Sequence, residues 1–192
     1  TLQPNLPITK PSFDEAEEQL LIETLRSGWV VQGPRVAEFE RLVAEHTGAA
    51  YAIATTSCTT ALHLSLIAAD VGPGDEVIVP AFTWIATANV VEYLGATPVF
   101  CDIDPSTFNI DVNQVESLIT SETKAVLPVH LFGLCADMVS LSEIAENHGL
   151  AIIEDAACAL DAWQNGRHAG TFGNSGCFSF HPRKVITTGE GG

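Results

Sequence analysis

The sequence predicts an α/β fold in three layers, a mostly parallel sheet with helices on both faces. Short β-rich runs recur at 50–55, 76–80, 97–102, 124–130, 150–155 and 176–180. Segments long enough for one helix each, 59–70, 83–94, 111–120 and 137–148, lie between the first five of them. Strand–helix alternation at this spacing makes right-handed βαβ units and a parallel sheet. The runs are also nearly continuous in apolar residues, as strands buried on both sides are.

Ahead of that pattern, residues 1–48 read as a helical segment distinct from the sheet-bearing domain at 49–192. Ser12 and Glu15 fit an S-x-x-E capping box, and "FDEAEEQLLIETLRSG" carries apolar residues at helical spacing up to Gly28. Gly33-Pro34 makes a turn, and "RVAEFERLVAEHTG" is a second amphipathic helix. From Ala50 the period changes. Each later helix opens near a small polar residue, and most close at Gly or Asn.

Composition removes several functional classes. The net charge is −16, with 8 Lys+Arg against 24 Asp+Glu, which argues against nucleic acid and against an anionic membrane surface. No apolar run approaches the ~20 residues of a membrane span. The polar start, "TLQPNLPITKPSF", is no signal peptide. The cysteines at 58, 101, 135, 158 and 177 are odd in number, lie in or beside apolar runs and form no CxxC, as core thiols of a reduced protein do. The expected compartment is the cytoplasm. The histidines show no HxxxH or HExxH spacing, so no metal site is expected.

In parallel sheets, chemistry gathers beyond the carboxyl ends of the strands. After the first run comes "TTSCTT", where a helix N-terminus with Thr59 and Thr60 suits a phosphate or is an ordinary Ser/Thr cap. After the second comes Trp84, a ring that either stacks on a ligand or packs in the core. "CDID" is either a metal-binding pair, Asp102 and Asp104, or a turn before Pro105. "IIEDAA" ends a buried strand with Glu154 and Asp155 on opposite faces, so only one need face a cleft. In the last run, Cys177–Phe180, Ser179 shares a face with Cys177, and Lys184 follows four residues later. Lys184 is either a solvated cation or a partly desolvated amine able to act as a nucleophile. No Walker, GxGxxG or G-x-S-x-G pattern occurs.

Six stretches in order, "SGWVVQGPRVAEFE", "VPAFTWIATANVV", "GATPVFCDID", "PVHLFG", "IIEDAA" and "SFHPRKVITTGEGG", resemble the DegT-type sugar aminotransferases, which are fold-type I pyridoxal phosphate enzymes. The resemblance runs from about Leu6 to Gly192. It implies that Lys184 bonds to the cofactor and then moves the substrate proton. It implies that Asp155 holds the pyridine nitrogen protonated, that Thr59, Thr60 and Ser179 bind the phosphate, and that Trp84 stacks on the ring. Cys158 stands where relatives often carry Gln toward the cofactor's phenolate oxygen, and a thiol is a poor donor there. Lysine at 184, where sugar-dehydrating relatives carry His, favours transamination. The implied reaction moves the amine of an amino acid, typically glutamate, to the keto group of a nucleotide-linked deoxysugar. A keto-cyclitol acceptor and a catalytically silent cofactor-binding relative are the alternatives. A homodimer is implied too. In such relatives an antiparallel strand lies between 50–55 and 176–180, and a small C-terminal domain follows. The chain is therefore expected to be an incomplete large domain with weakened activity.

Overall fold

The computed structural model describes residues 7–192. Residues 1–6, the beginning of the polar N-terminal stretch and the start of the resemblance, lie outside the described residues.

The central sheet has five strands, all parallel. They are β1 (Glu76–Pro80), β2 (Thr97–Cys101), β3 (Thr123–Val126), β4 (Ala151–Asp155) and β7 (Ser175–Cys177), in the order β2-β1-β3-β4-β7. The three-layer expectation holds because alternate residues of each strand feed different cores. Val77, Val79, Ala125 and Ile153 pack with α3 (Cys58–Ala68) and α4 (Ala86–Glu92). Ile78, Val126 and Ile152 pack with α5 (Val112–Val115) and α6 (Met138–His148). The strand order reverses between β1 and β3, and a ligand crevice is expected outside the carboxyl ends at such a switch.

The N-terminal helices are α1 (Glu15–Ser27) and α2 (Pro34–Thr47), each closed by a left-handed glycine, Gly28 and Gly48. The cap of α1 differs from the sequence expectation. Asp14, not Ser12, is the N-cap, and its capping-box partner is Glu17. The shift is physical: Asp14 offers a carboxylate to Ala16 N–H, while Glu17 reaches back to its backbone.

Three strand expectations are corrected. Residues 50–55 form no strand; Thr55 exchanges backbone bonds with Gly192, and no ladder runs beside the segment. Its apolar sequence is extended, but Tyr51 and Ile53 are 88% and 79% exposed. A cavity of about 1240 Å³, lined by Ala50, Ala52, Ile153, Ser175 and Cys177 among others, lies between the segment and β7. The last strand is Ser175–Cys177 rather than 176–180, because Phe180 turns its backbone to Gly191 and Thr188 instead of to β4. β3 ends at Val126, ahead of Pro128, which has no N–H to give a ladder. The helical stretch expected at 111–120 is one α turn followed by a 3-10 turn, Glu116–Leu118.

A hairpin that the sequence pattern did not reveal follows β4. It consists of β5 (Trp163–Gln164) and β6 (Arg167–His168), joined by Asn165-Gly166, both left-handed as this tight turn requires. The loop after it is tied to the sheet by Glu154, fully buried at β4. Its carboxylate accepts from His130 Nε2 at 2.8 Å, Gly170 N–H at 2.8 Å and Gly173 N–H at 2.6 Å. His130 Nδ1 accepts from Ala136 N–H, so Nε2 carries the proton given to Glu154. Gly176 of β7 lies directly on the Gly170 backbone, where a Cβ has no room.

Removing one member of this buried cluster strands the others without water. Glu154→Ala should therefore cost about 3 kcal/mol of folding free energy, since it leaves His130 Nε2–H, Gly170 N–H and Gly173 N–H without their acceptor and each unsatisfied buried donor costs about 1–3 kcal/mol. Urea unfolding measures it, and a loss below about 1 kcal/mol, the size of an ordinary hydrogen bond, contradicts the assignment.

Candidate active site

β4 ends in Glu154-Asp155, and pleat alternation sends the two acids to opposite sides as expected. Glu154 is absorbed by the structural cluster above. Asp155, 5% exposed, turns the other way. Its Oδ2 accepts from Thr87 Oγ1 at 3.0 Å and its Oδ1 from Ala157 N–H at 3.1 Å. Thr87 in turn meets Thr83 Oγ1 at 3.0 Å. Burial raises the Asp155 carboxyl above the usual range, opposed by the Ala157 and Thr87 hydrogen bonds and by the charge of Lys184. A buried carboxylate held only by neutral donors at hydrogen-bond distance favours a cation in its cleft.

Lys184 sits on a loop that leaves and rejoins the sheet edge. Phe180 N–H bonds Gly191 O at 3.0 Å, Thr188 N–H bonds Phe180 O at 3.0 Å, and Lys184 N–H closes a turn on His181 O at 2.9 Å. The half-buried ammonium group ends 3.0 Å from Cys158 Sγ. Lys184 and Cys158 therefore meet across 26 residues of sequence. Ser179, beside β7, accepts from His181 N–H at 3.4 Å.

The N-terminus of α3 forms the third side. Ser57 is its N-cap and accepts from Thr60 N–H at 3.1 Å, while Thr60 Oγ1 bonds Ser57 Oγ and Thr56 Oγ1. Thr60 is thus engaged in the cap. Thr59, one residue into the helix, has no side-chain hydrogen bond among the described residues. Cys58, the first residue of α3, shows that these sides adjoin. Its thiol is pushed far up by burial first, then by the charges of Asp155 and Cys177, and is eased by Lys184. Cys58 Sγ also donates to Cys177 O at 3.5 Å, the oxygen that accepts from Ala156 N–H, so the helix start meets the sheet next to Asp155. Trp84 is 75% exposed beyond β1, so its ring is outside the core.

Other expectations resolve differently. Asp104 accepts from Ser106 N–H and Oγ, and these bonds hold its carboxyl below the ordinary range; Asp102 bonds Ile103 N–H. "CDID" is thus a turn, in line with one of its two sequence readings. A His/Asp cluster does assemble from residues remote in sequence, His46, Asp161 and His168. His168 is occupied there, with Nδ1 on Ala169 O and Nε2 accepting from Asp161 N–H. The residues sequence reasoning missed are Thr87 and Thr83. Their only signal was position, since Thr87 lies three residues past Trp84 and four past Thr83.

Comparison with known proteins gives a consistent result. The model of the DegT/DnrJ/EryC1/StrS aminotransferase family matches residues 11–192. The chain is 47% identical over 190 residues to GDP-perosamine synthase of Caulobacter vibrioides, covering 98% of this chain and 51% of that protein. It is 42% identical to a UDP-4-amino-4-deoxy-L-arabinose–oxoglutarate aminotransferase of Shewanella sediminis, covering 97% and 48%. A putative sugar aminotransferase of Streptococcus pneumoniae in its PMP form superimposes with a TM-score of 0.94 at 38% identity, covering 97% and 51%. The chain spans about half the length of the curated relatives it matches. Among the described residues, no helix is long and apolar enough to cross a membrane.

The raised Asp155 carboxyl has a consequence for stability. The folded chain holds a proton there that the unfolded carboxyl, titrating near about 3.9, has already released. Stability is therefore full below that value and declines as pH rises through the folded-state pKa. Asp155→Asn removes this decline, so its stability relative to the parent chain should grow as pH rises above about 4. Urea midpoints across the range measure it; a difference independent of pH contradicts the shift.

Proposed function

The chain belongs to the DegT/DnrJ/EryC1/StrS aminotransferase family, and from that premise we propose that the protein is a pyridoxal phosphate-dependent aminotransferase. It moves an amino group from an amino acid, glutamate, to the keto group of a nucleotide-linked deoxysugar. The observation that carries this reading is the convergence of three elements: Cys58 at the start of α3 and Ala156 next to Asp155 both donate to Cys177 O, at 3.5 and 2.9 Å, and Lys184 Nζ reaches Cys158, three residues past Asp155, at 3.0 Å.

The residues fit that cofactor. Asp155 is a buried carboxylate with no cation at hydrogen-bond distance among the described residues, which suits a protonated ring nitrogen. Thr59 brings a hydroxyl to a helix N-terminus, the ordinary place for a phosphate, and we assign Thr60 and Ser179 to the same group. Trp84 offers an exposed ring to one face of a flat group. When bound, pyridoxal phosphate supplies an aldehyde carbon that takes up amines and a ring that accepts the electron pair left by a departing proton.

The chain's own groups do the rest. Asp155 holds the proton at the ring nitrogen, and Thr87, backed by Thr83, keeps its carboxylate aimed by a donated hydrogen bond. Lys184 Nζ is the amine that would hold the cofactor, and the same nitrogen would take the proton from the substrate carbon and return it one carbon away. Cys158 Sγ accepts from that nitrogen, and sulfur is a weak acceptor, so it constrains the amine only loosely.

Glutamate is named as donor, and a keto-cyclitol kept as the alternative acceptor, on the resemblance alone. The nucleotide-sugar acceptor draws support from the names of the similar proteins above. We assign the helical segment 1–48 and the cofactor-binding domain 49–192 as separate units. The cavity between 50–55 and β7 is the seat proposed for the antiparallel strand of the family sheet. A homodimer is favoured by exposed rings beyond successive strands. Phe82 lies 5.6 Å from Phe108, and Phe108 6.1 Å from Phe132, all partly open to solvent.

Borohydride reduction of the cofactor-loaded protein, followed by peptide mapping, should place the cofactor's mass on the peptide that holds Lys184. Lys184→Ala should lower amination of a nucleotide-linked ketosugar by about 10³-fold or more, the scale of a positioned acid–base group. Cofactor fixed at another lysine, or turnover retained without Lys184, refutes the reading.

A further inference from the structure

Cys158 Sγ and Lys184 Nζ stand 3.0 Å apart, and neither atom has another hydrogen bond among the described residues. That separation is already a near-attack distance for bond formation between the two. Cys158 is exposed, whereas Cys58, Cys101 and Cys177 are buried. Burial pushes the Cys101 thiol up to about 11 and Cys177 up to about 12, and it raises the half-buried Cys135 as well. Oxidants react with thiolates that they can reach, so these four thiols are shielded and Cys158 is the accessible one.

We propose that Cys158 and Lys184 form an oxidation-sensitive pair in which hydrogen peroxide joins the two side chains through a sulfur–nitrogen bond. In the first step the Cys158 sulfur attacks the peroxide, the O–O bond breaks, and sulfenic acid and one water result. In the second step the neutral Lys184 amine attacks that sulfur. The S–O bond breaks, and the departing hydroxyl leaves as a second water with a proton from nitrogen. Sulfur is oxidised by two electrons and peroxide is reduced by two. A dithiol reverses the link, returning thiol and amine and becoming a disulfide.

The link removes the one lysine on which the proposed chemistry turns, so peroxide would silence the site reversibly. The pairing itself rests only on the two side chains, and its detection requires no cofactor and no turnover. The competing fate of an isolated exposed thiol is stepwise addition of oxygen. A neighbouring amine at contact distance intercepts the first of those steps.

The test is peroxide treatment of the cofactor-free protein, followed by digestion and mass mapping without reductant. The expected product is one joined pair of peptides, containing Cys158 and Lys184, lighter by two hydrogens than their sum and separated again by dithiothreitol. Cys158→Ser should lose the joined pair. Lys184→Met should lose it too and instead carry oxygen on Cys158. If peroxide merely adds oxygen to Cys158 of the parent protein while the Lys184 peptide stays free, or if it joins other residues, the proposal is overturned.

Discussion

A carboxylate sealed at the end of β4, with neutral hydrogen-bond donors and no cation touching it, is the constraint on which this molecule's chemistry depends. Burying such a group is costly unless its charge is matched. The sheet fixes Asp155 at that place because β4 lies between β3 and β7 and cannot shift register without disturbing both. Thr87 and Ala157 then fix the direction of the carboxylate. The cost in stability is local, and the return is a fixed carboxyl group facing a cleft, ready to pair with a cationic ligand.

The same two-residue alternation divides the tasks of neighbouring acids. Glu154 collects three hydrogen bonds and anchors the loop at 170–173, while Asp155 remains available to a ligand. A one-residue slip would exchange them. The loop carrying Lys184 departs from the outer strand, so the amine is positioned by backbone bonds from Phe180 to Gly191 and Thr188 rather than by a core contact. Such loops move more easily than strands, and function commonly resides on them. An acid set on a strand and an amine set on a loop suit roles in which one holds a proton and the other carries it.

The sheet was largely legible in the sequence because buried parallel strands are apolar almost throughout, and the 76–80, 97–102 and 150–155 runs each match a strand to within a residue. The 50–55 run illustrates the limit. Its residues have strand character, but a strand exists only with a bonded neighbour, and here the segment meets just Gly192. The candidate site was readable where chemistry follows a strand end, as at Asp155, Trp84 and Lys184. It was not readable where a side chain acts through another. Thr87 looked like an ordinary helix residue, and the approach of Cys158 to Lys184 depends on how two loops fold over the sheet edge. The His46, Asp161 and His168 cluster joins α2 to the hairpin and has no sequence spacing to announce it.

The most direct measurement of the central claim is the nitrogen-15 chemical shift of the ring nitrogen in isotope-labelled pyridoxal phosphate bound to the protein. If Asp155 faces that atom, the nitrogen stays protonated well above the pH at which the free cofactor loses its proton, and Asp155→Asn shifts it to the unprotonated position. A ring nitrogen that titrates in the bound state as it does in solution, indifferent to Asp155, would contradict the account.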